Sequence, residues 1–362
     1  MTRRVISFSR GAPSLDIIDV VGLKEAAVAA LERDAAGATR YGSAMGYEPL
    51  REWLAAQHGV SIEQVLVTNG SLQADDLLFH ELVKPGEKVV VEAPTYDRTL
   101  ASLQAMGADV LPVPLEPDGL DTAVLSRLSG ESPSLAHLIP NFQNPAGYTL
   151  SEEKRREVVK WASEVGCVIF EDDPYREISF DGTALPTMLS LDDTGSSVLY
   201  ASSFSKTVCP GIRVGYLVGP AEVIRRVAKR AEATYISPNM FAQATLYQYC
   251  ASGRINQAVE RIREELGRRC RTMAQALIRE MPAASFVEPK GGYFFWVSLP
   301  ENIDLAKLWE LAQAKGVAFV KGTDFFLSGG EHEMRLAFAG VSVEEIEEGI
   351  RLLAEAAAEA AS

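Results

Sequence analysis

The feature that most constrains this chain is an alternation. Short apolar runs of strand length recur between Val65 and Val218, with amphipathic helical stretches between most of them. The runs are VLVT (65–68), KVVVE (88–92), DVLPVPL (109–115), HLIPNFQN (137–144), CVIFEDD (167–173) and VLYASS (198–203), with Arg213–Val218 close behind. Strands this apolar have no face for water. They predict an α/β fold, a mostly parallel sheet covered by helices on both sides. Prolines in 109–115 predict an edge position. The helices between are marked by local signals. Gly22–Arg33 carries apolar residues at helical spacing. Pro49 opens a helix in its first turn. Leu72–Val83 stops at Lys84-Pro85-Gly86. Ser151–Val165 has Ser151 as N-cap and Glu152 and Glu153 in the first turn.

After Glu222 the pattern changes. Long helices run to about Arg279, then Tyr293–Leu299, Val317–Val320 and Met334–Phe338 read as strands, and Val343–Ala360 as a closing helix. This tail predicts a second, smaller α+β unit. Residues 3–15 read as an extended arm ending at Gly11 and Pro13.

A chain of 362 residues with 47% hydrophobic content can bury a large core. Its net charge of -14 repels phosphate backbones and argues against a nucleic-acid partner. The densest basic stretch, Arg261–Arg271, is interleaved with Glu264 and Glu265 and reads as a solvated helix face. Cys167, Cys209, Cys250 and Cys270 have neither metal-ligand nor disulfide-framework spacing. No apolar run approaches a membrane span, and MTRRVISFSRG lacks the pattern of a secretory signal. The expectation is a soluble cytoplasmic protein with no metal and no membrane segment.

In open α/β sheets ligands bind beyond the carboxyl ends of the strands. Polar groups stand at five of those ends: Gly70-Ser71, Tyr96, Asn144, Asp172 with Tyr175, and Ser203, Ser205 and Lys206. Each alone is ordinary turn or cap chemistry, and the Gly70-Ser71 joint by itself reads as a connection as readily as a phosphate site. Five together exceed what turns require. Two hydroxyls, an amine and, seven residues later, Arg213 suit an anionic cofactor held by a phosphate and bonded to the amine.

The motifs YGSAMGYEPLR, VTNGSLQ, EAPTYD, PNFQNPAG, EDDPY, SSFSKTVCPGIRVG, GGYFFW and MRLAF cover nearly the whole chain. In that order they resemble the fold type I pyridoxal phosphate (PLP) enzymes of the class I/II aminotransferase group. The nearest branch holds 2-aminoadipate and broad-specificity aminotransferases and the C-terminal domain of MocR-type regulators. The resemblance implies a large domain with a seven-stranded, mostly parallel sheet and a smaller α+β domain. The large domain would span 41–254, and the small one 1–40 with 255–362.

It also implies roles. Lys206 would form the internal aldimine and later carry a proton between the substrate Cα and the cofactor, which requires a proton affinity lowered by burial and nearby positive charge. Asp172 would face the ring nitrogen and keep it protonated. Tyr96 would stack on the ring, and Tyr175 and Asn144 would donate to its phenolate oxygen. The N–H groups of Gly70, Ser71 and Leu72, the hydroxyls of Ser203 and Ser205, and Arg213 would hold the phosphate. Tyr41 would reach the phosphate of the neighbouring subunit, which implies a homodimer. Arg335, with Asn144 and the backbone near Gly11, would clamp the substrate carboxylate. Arg10 is either a contact for an acidic side chain or a solvated residue. Tyr148 and Tyr293 are further candidates near the substrate side chain.

The expected activity is ping-pong transfer of an amino group from an L-amino acid to a 2-oxo acid, with 2-oxoglutarate as the acceptor. Two alternatives stay open. One is another PLP reaction, a β-lyase or racemase, because function lives in the site and not in the fold. The other is a PLP-binding sensor module. The acidic charge and the resemblance beginning within the first ten residues count against the sensor.

Overall fold

Strand β1 (Ile6–Ser7) and helices α1 (Val20–Thr39) and α2 (Glu48–His58) open the computed structural model, which describes residues 5–361. The arm's first two residues, Arg3 and Arg4, lie outside that range. Then follow β2 (Val65–Thr68), α3 (Ser71–Leu82), β3 (Lys88–Ala93), α4 (Asp97–Ala105), β4 (Asp109–Glu116), β5 (Gly119–Leu120) and α5 (Thr122–Arg127). Next come β6 (Leu135–Leu138), α6 (Glu152–Val165), β7 (Val168–Asp172), α7 (Met188–Leu191), β8 (Val198–Ser203) and β9 (Gly215–Val218). Helices α8 (Ala221–Tyr235), α9 (Met240–Ala251) and α10 (Arg254–Glu280) lead to the last part. It contains β10 (Ser285–Phe286), β11 (Phe294–Ser298), α11 (Leu305–Lys315), β12 (Val317–Ala318), β13 (Val320–Lys321), β14 (Glu333–Ala337) and α12 (Val343–Ala360).

Capping chemistry sets several of these boundaries. Asp19 accepts from the Gly22 N–H at 3.0 Å at the start of α1. Ser151 caps α6, and Ser342 and Glu345 form a capping box on α12.

The central sheet has the order β2-β9-β8-β7-β6-β3-β4-β5. Strands β8, β7, β6, β3 and β4 are mutually parallel, and β9 runs antiparallel to both its neighbours. The sheet therefore has eight strands where seven were expected. The additional one, β5, is a two-residue hairpin return on β4, so the proline-bearing β4 is one place in from the edge. Apolar side chains leave both faces. Leu66, Val89, Val91, Phe170 and Leu217 pack with α3 and α8. Val90, Ala136, Ile169 and Val198 pack with α6 on the other face.

Three expectations need correction. The run 137–144 is not one strand, because pairing stops at Leu138. Beyond it the backbone leaves the sheet as a loop. Buried Arg155 pins that loop by donating to the carbonyls of Leu150 and Pro140 and to Asn141 Oδ1. Secondly, α1 packs chiefly with α9 and is not part of the C-terminal core. Ala26, Ala30 and Ala38 join the cluster of α2, α9 and the β2–β9 end of the sheet. Only the arm crosses over, with β1 paired parallel to β12 and Phe8 and Ile17 in the C-terminal core. Thirdly, Arg269 is not solvated. It is 1% exposed, donates to Ser14 Oγ and the Ala339 carbonyl, and pairs with Asp16 and Glu265, tying the arm to α10.

The C-terminal sheet has the order β10-β11-β14-β13, all antiparallel, covered by α10, α11 and α12. No helix among the described residues is long and apolar enough to cross a membrane.

Candidate active site

The carboxyl ends of β2, β3, β6, β7 and β8 open on one edge of the central sheet. A cavity of about 520 Å³ lies there, closed on its far side by Ser9, Arg10 and Gly11 of the arm and by Phe294, Phe325 and Arg335. The residues singled out from the sequence for cofactor and substrate all line it, except Gly70, Tyr41, Tyr148 and Tyr293. Gly70 sits just behind the wall. Its φ is +93°, and a Cβ there would stand 2.3 Å from Arg213 Nη2, so no side chain fits. Tyr41 is 83% exposed and off the cavity. Two candidates are misplaced. Tyr148 packs with Trp296 and Phe325. Tyr293 is fully buried, and its hydroxyl donates to the Lys206 carbonyl at 2.8 Å. It holds the lysine backbone and does not shape the pocket wall.

Gly70 is the N-cap of α3 and offers no side chain to the first-turn N–H groups, which leaves them for an anion. Around that helix start stand Ser203 and Ser205, joined Oγ to Oγ at 2.9 Å, and Arg213, whose Nη1 lies 3.4 Å from Ser205 Oγ. Arg213 has a left-handed backbone (φ 50°), which turns its guanidinium back toward Asn69 and Gly70.

Lys206 Nζ donates to the Gly11 carbonyl at 2.5 Å and lies 5.7 Å from the Tyr175 ring centroid. Burial, and then the charges of Arg335 and Arg213, lower its proton affinity to about 8, so an unprotonated amine is accessible near neutral pH. Asp172 is buried at the cavity floor with Oδ1 lacking any partner. Burial and the neighbouring Asp173 push it up to about 7, while Lys206 pulls it down. Tyr96 stands at the N-cap of α4, and burial pushes its hydroxyl up to about 12.

Arg335, on β14, is buried against Phe294 and Phe325, with its guanidinium carbon 4.4 and 4.8 Å from the ring centroids. Nη1 donates to Asn144 Oδ1 and Nη2 to the Ser9 carbonyl, each at 2.7 Å, and Nε has no partner. The Asn144 loop is set by Gln143, which donates to Glu92 and the Pro94 carbonyl and accepts from the Ala146 N–H. Gln143, Glu92, Arg155 and Asp75 escaped sequence reasoning. The first lies one residue from a chosen site residue, and the hydrogen-bond demand of a buried loop is the signal that could have found it.

The profile of the family described as "Aminotransferase class I and II" matches residues 3–353. The chain is 34% identical to aromatic-amino-acid aminotransferase 1 of Thermococcus litoralis, over 98% of this chain and 88% of that one. It is also 34% identical to the 2-aminoadipate transaminase of Thermus thermophilus, over 97% and 90%. The crystal structure of the alpha-aminoadipate aminotransferase of Thermus thermophilus, complexed with N-(5'-phosphopyridoxyl)-L-leucine, superposes with a TM-score of 0.94. The identity is 32%, covering 98% of this chain and 92% of that one. The cavity here fits that type of cofactor. It has an uncapped helix start with two hydroxyls and a guanidinium for a phosphate, a buried amine, and an unpartnered carboxylate oxygen beneath. The chain belongs to the class I and II aminotransferase family, whose cofactor is pyridoxal 5'-phosphate.

Proposed function

We propose that this aminotransferase moves the amino group of an L-amino acid to 2-oxoglutarate, working as a homodimer. The convergence of Lys206, Asp172 and Arg335 on one cavity carries the reading. When bound, PLP supplies an electron sink for the pair released at the substrate Cα.

The chain's own residues do the rest. The N–H groups of Gly70, Ser71 and Leu72, with Ser203, Ser205 and Arg213, would hold the phosphate. Asp172 would face the ring nitrogen, Tyr96 would cover the ring, and Tyr175 and Asn144 would reach its hydroxyl oxygen. Lys206, as a free amine, would take the proton from Cα and return it elsewhere. Arg335 and Asn144 would orient the substrate through its carboxylate. Arg10 is exposed at the mouth, where it could meet an acidic side chain. Relatives named for aromatic amino acids and for 2-aminoadipate make both classes the donors to try first.

The packing of α1 on α9 supports a division into two units. Residues 41–254 together with α1 would form the unit that holds the cofactor, and the arm would travel with 255–362. Relative movement would then close Ser9, Gly11 and Arg335 over the substrate and exclude water.

The test is a half-reaction. PLP-loaded protein is mixed with single L-amino acids, and the cofactor absorbance is followed from the aldehyde to the amine form, then back on adding 2-oxoglutarate. Pyruvate and ammonia released from cysteine-like donors with no oxo acid would speak for a lyase instead. Conversion by no donor would count against transamination.

Two smaller predictions arise here. Arg213→Lys keeps the charge but loses the fork, and a hydrogen bond to a charged group contributes about 1.5–3 kcal/mol. PLP affinity should fall roughly 10- to 150-fold, read by titrating apo protein. Tyr41→Phe should weaken PLP binding in the dimer by roughly fivefold, one ordinary hydrogen bond. Sedimentation should find two chains per particle, and full PLP occupancy in a stable monomer would remove Tyr41 from the site.

A further inference from the structure

At the cavity floor lies a polar cluster of which the cofactor grip described above uses only Asp172. Asp75 comes from α3, His137 from β6 and Asp172 from the end of β7. A carboxylate oxygen or ring nitrogen from each lies within 4.8 Å of the others. His137 Nε2 is 3.8 Å from Asp172 Oδ2. All three residues are buried, Asp75 at 3% exposure and His137 at 0%. Asp75 Oδ1, Asp172 Oδ1 and both ring nitrogens of His137 are buried without a hydrogen-bond partner. Phe79 and Phe170 pack edge-on against the imidazole and keep the surroundings apolar.

The titratable groups that face this cluster are mostly acidic, and burial pushes Glu92 up to about 8, so it adds little charge near neutral pH. Glu92 faces it from β3, Asp173 from just past the end of β7, Asp76 from α3 itself, the Tyr96 hydroxyl from the start of α4, and the Tyr175 hydroxyl from the loop after β7. The cation that acts on Asp172 is Lys206. Two carboxylates this close in an apolar site cannot both be ionised, so one holds a proton. Asp172 has Lys206 to favour its charge. Asp75 has burial, and then the charge of Asp172, against it, and both push its proton affinity well up. His137 is held neutral by burial, down at about 3, so it is not the countercharge.

We propose that Asp75 is a neutral carboxylic acid in the working enzyme. It acts as a positioning residue that, with neutral His137, limits the cluster to the single negative charge Asp172 presents to the cofactor's ring nitrogen. This rests on the PLP reading of Asp172. An ionised Asp75 would put a second negative charge behind that nitrogen and raise its proton affinity. A protonated Asp75 instead gives the cluster a donor for one of its unpartnered acceptors.

Infrared difference spectroscopy tests the assignment. Cofactor-loaded and cofactor-free proteins near neutral pH should both show a protonated-carboxyl carbonyl band. The aspartate band, set apart from buried Glu92 and Glu171 by its shift on 13C-aspartate labelling, should also shift in D2O and vanish in Asp75→Asn. The labelling arm needs no variant, so it holds even if Asp75→Asn folds poorly. The absorbance–pH midpoint of bound PLP should coincide in wild type and Asp75→Asn, because one neutral group replaces another. A midpoint moved by about one unit or more, 1.36 kcal/mol, would mean Asp75 carried charge and would overturn the proposal. So would absence of the band, its survival in Asp75→Asn, or one divalent metal per chain lost in that variant. Failure to bind PLP would instead sink the functional reading, and the band in the cofactor-free protein keeps the two failures apart.

Discussion

Lys206→Ala is expected to reduce transamination by roughly 10⁴-fold or more, since it removes a nucleophile and a general base together. The geometry leaves no substitute. Tyr175 and Tyr293 flank the amine, but burial raises both hydroxyls far above any useful range. Asp172 sits below, committed to the ring nitrogen in this reading. Among the described residues, Lys206 alone combines a position in the cavity with a proton affinity near 8. The variant should stay folded, because truncation gives up one hydrogen bond to the Gly11 carbonyl and relieves a buried amine. It should still bind PLP through the phosphate residues. Single-turnover absorbance measures the loss, and borohydride followed by denaturation reads the bond. Wild type should keep the cofactor after that treatment, and the variant should release it. A small primary amine added to the variant should restore part of the rate, since what is lost is an amine held at high effective concentration. Full activity in Lys206→Ala would end the mechanism.

Much of the fold was legible because its signals are local. Strands β2 and β8 and helix α12 begin and end where the sequence places them. Apolar runs fix the strand cores, and turn or cap residues fix the ends. The errors share a different origin. His137–Asn144 looks like a strand because it stays apolar, yet its backbone leaves the sheet at Leu138, and beyond it Glu92 accepts from the Ile139 N–H and Arg155 donates to the Pro140 carbonyl, both from distant positions. Arg269 sits in a basic stretch and reads as solvated. Its partners Ser14, Asp16 and Ala339 come from both chain ends. Asp75 stands beside Asp76 on an amphipathic helix, and nothing local says that one acid is buried while the next is not. The site residues at strand ends were readable because topology alone gathers them. The groups that hold or tune them make long-range hydrogen bonds or share a cavity floor, and a sequence carries no period for that.

Arg335→Ala should carry the other large effect. Its guanidinium is a buried charge with two neutral acceptors, Asn144 Oδ1 and the Ser9 carbonyl, and one unpartnered nitrogen. No acid of the protein pairs with it among the described ion pairs. Two aromatic faces fix its plane, so the fork is preorganised for a carboxylate that arrives with the substrate. Removing one partner of a buried, hydrogen-bonded charge pair costs about 2–5 kcal/mol, a fall of roughly 30- to 5,000-fold in kcat/KM. Arg335→Lys should recover little, because an ammonium offers no planar fork and no stacking face. The control is an amine that lacks the carboxylate. If the fork works by gripping that group, wild type and Arg335→Ala should process such an amine at similar low rates, so that the difference between them appears only with amino acids. An unchanged kcat/KM for every amino acid would move the carboxylate grip to another residue. Equal losses for amino acids and for the carboxylate-free amine would show instead that Arg335 acts by holding the arm through Ser9.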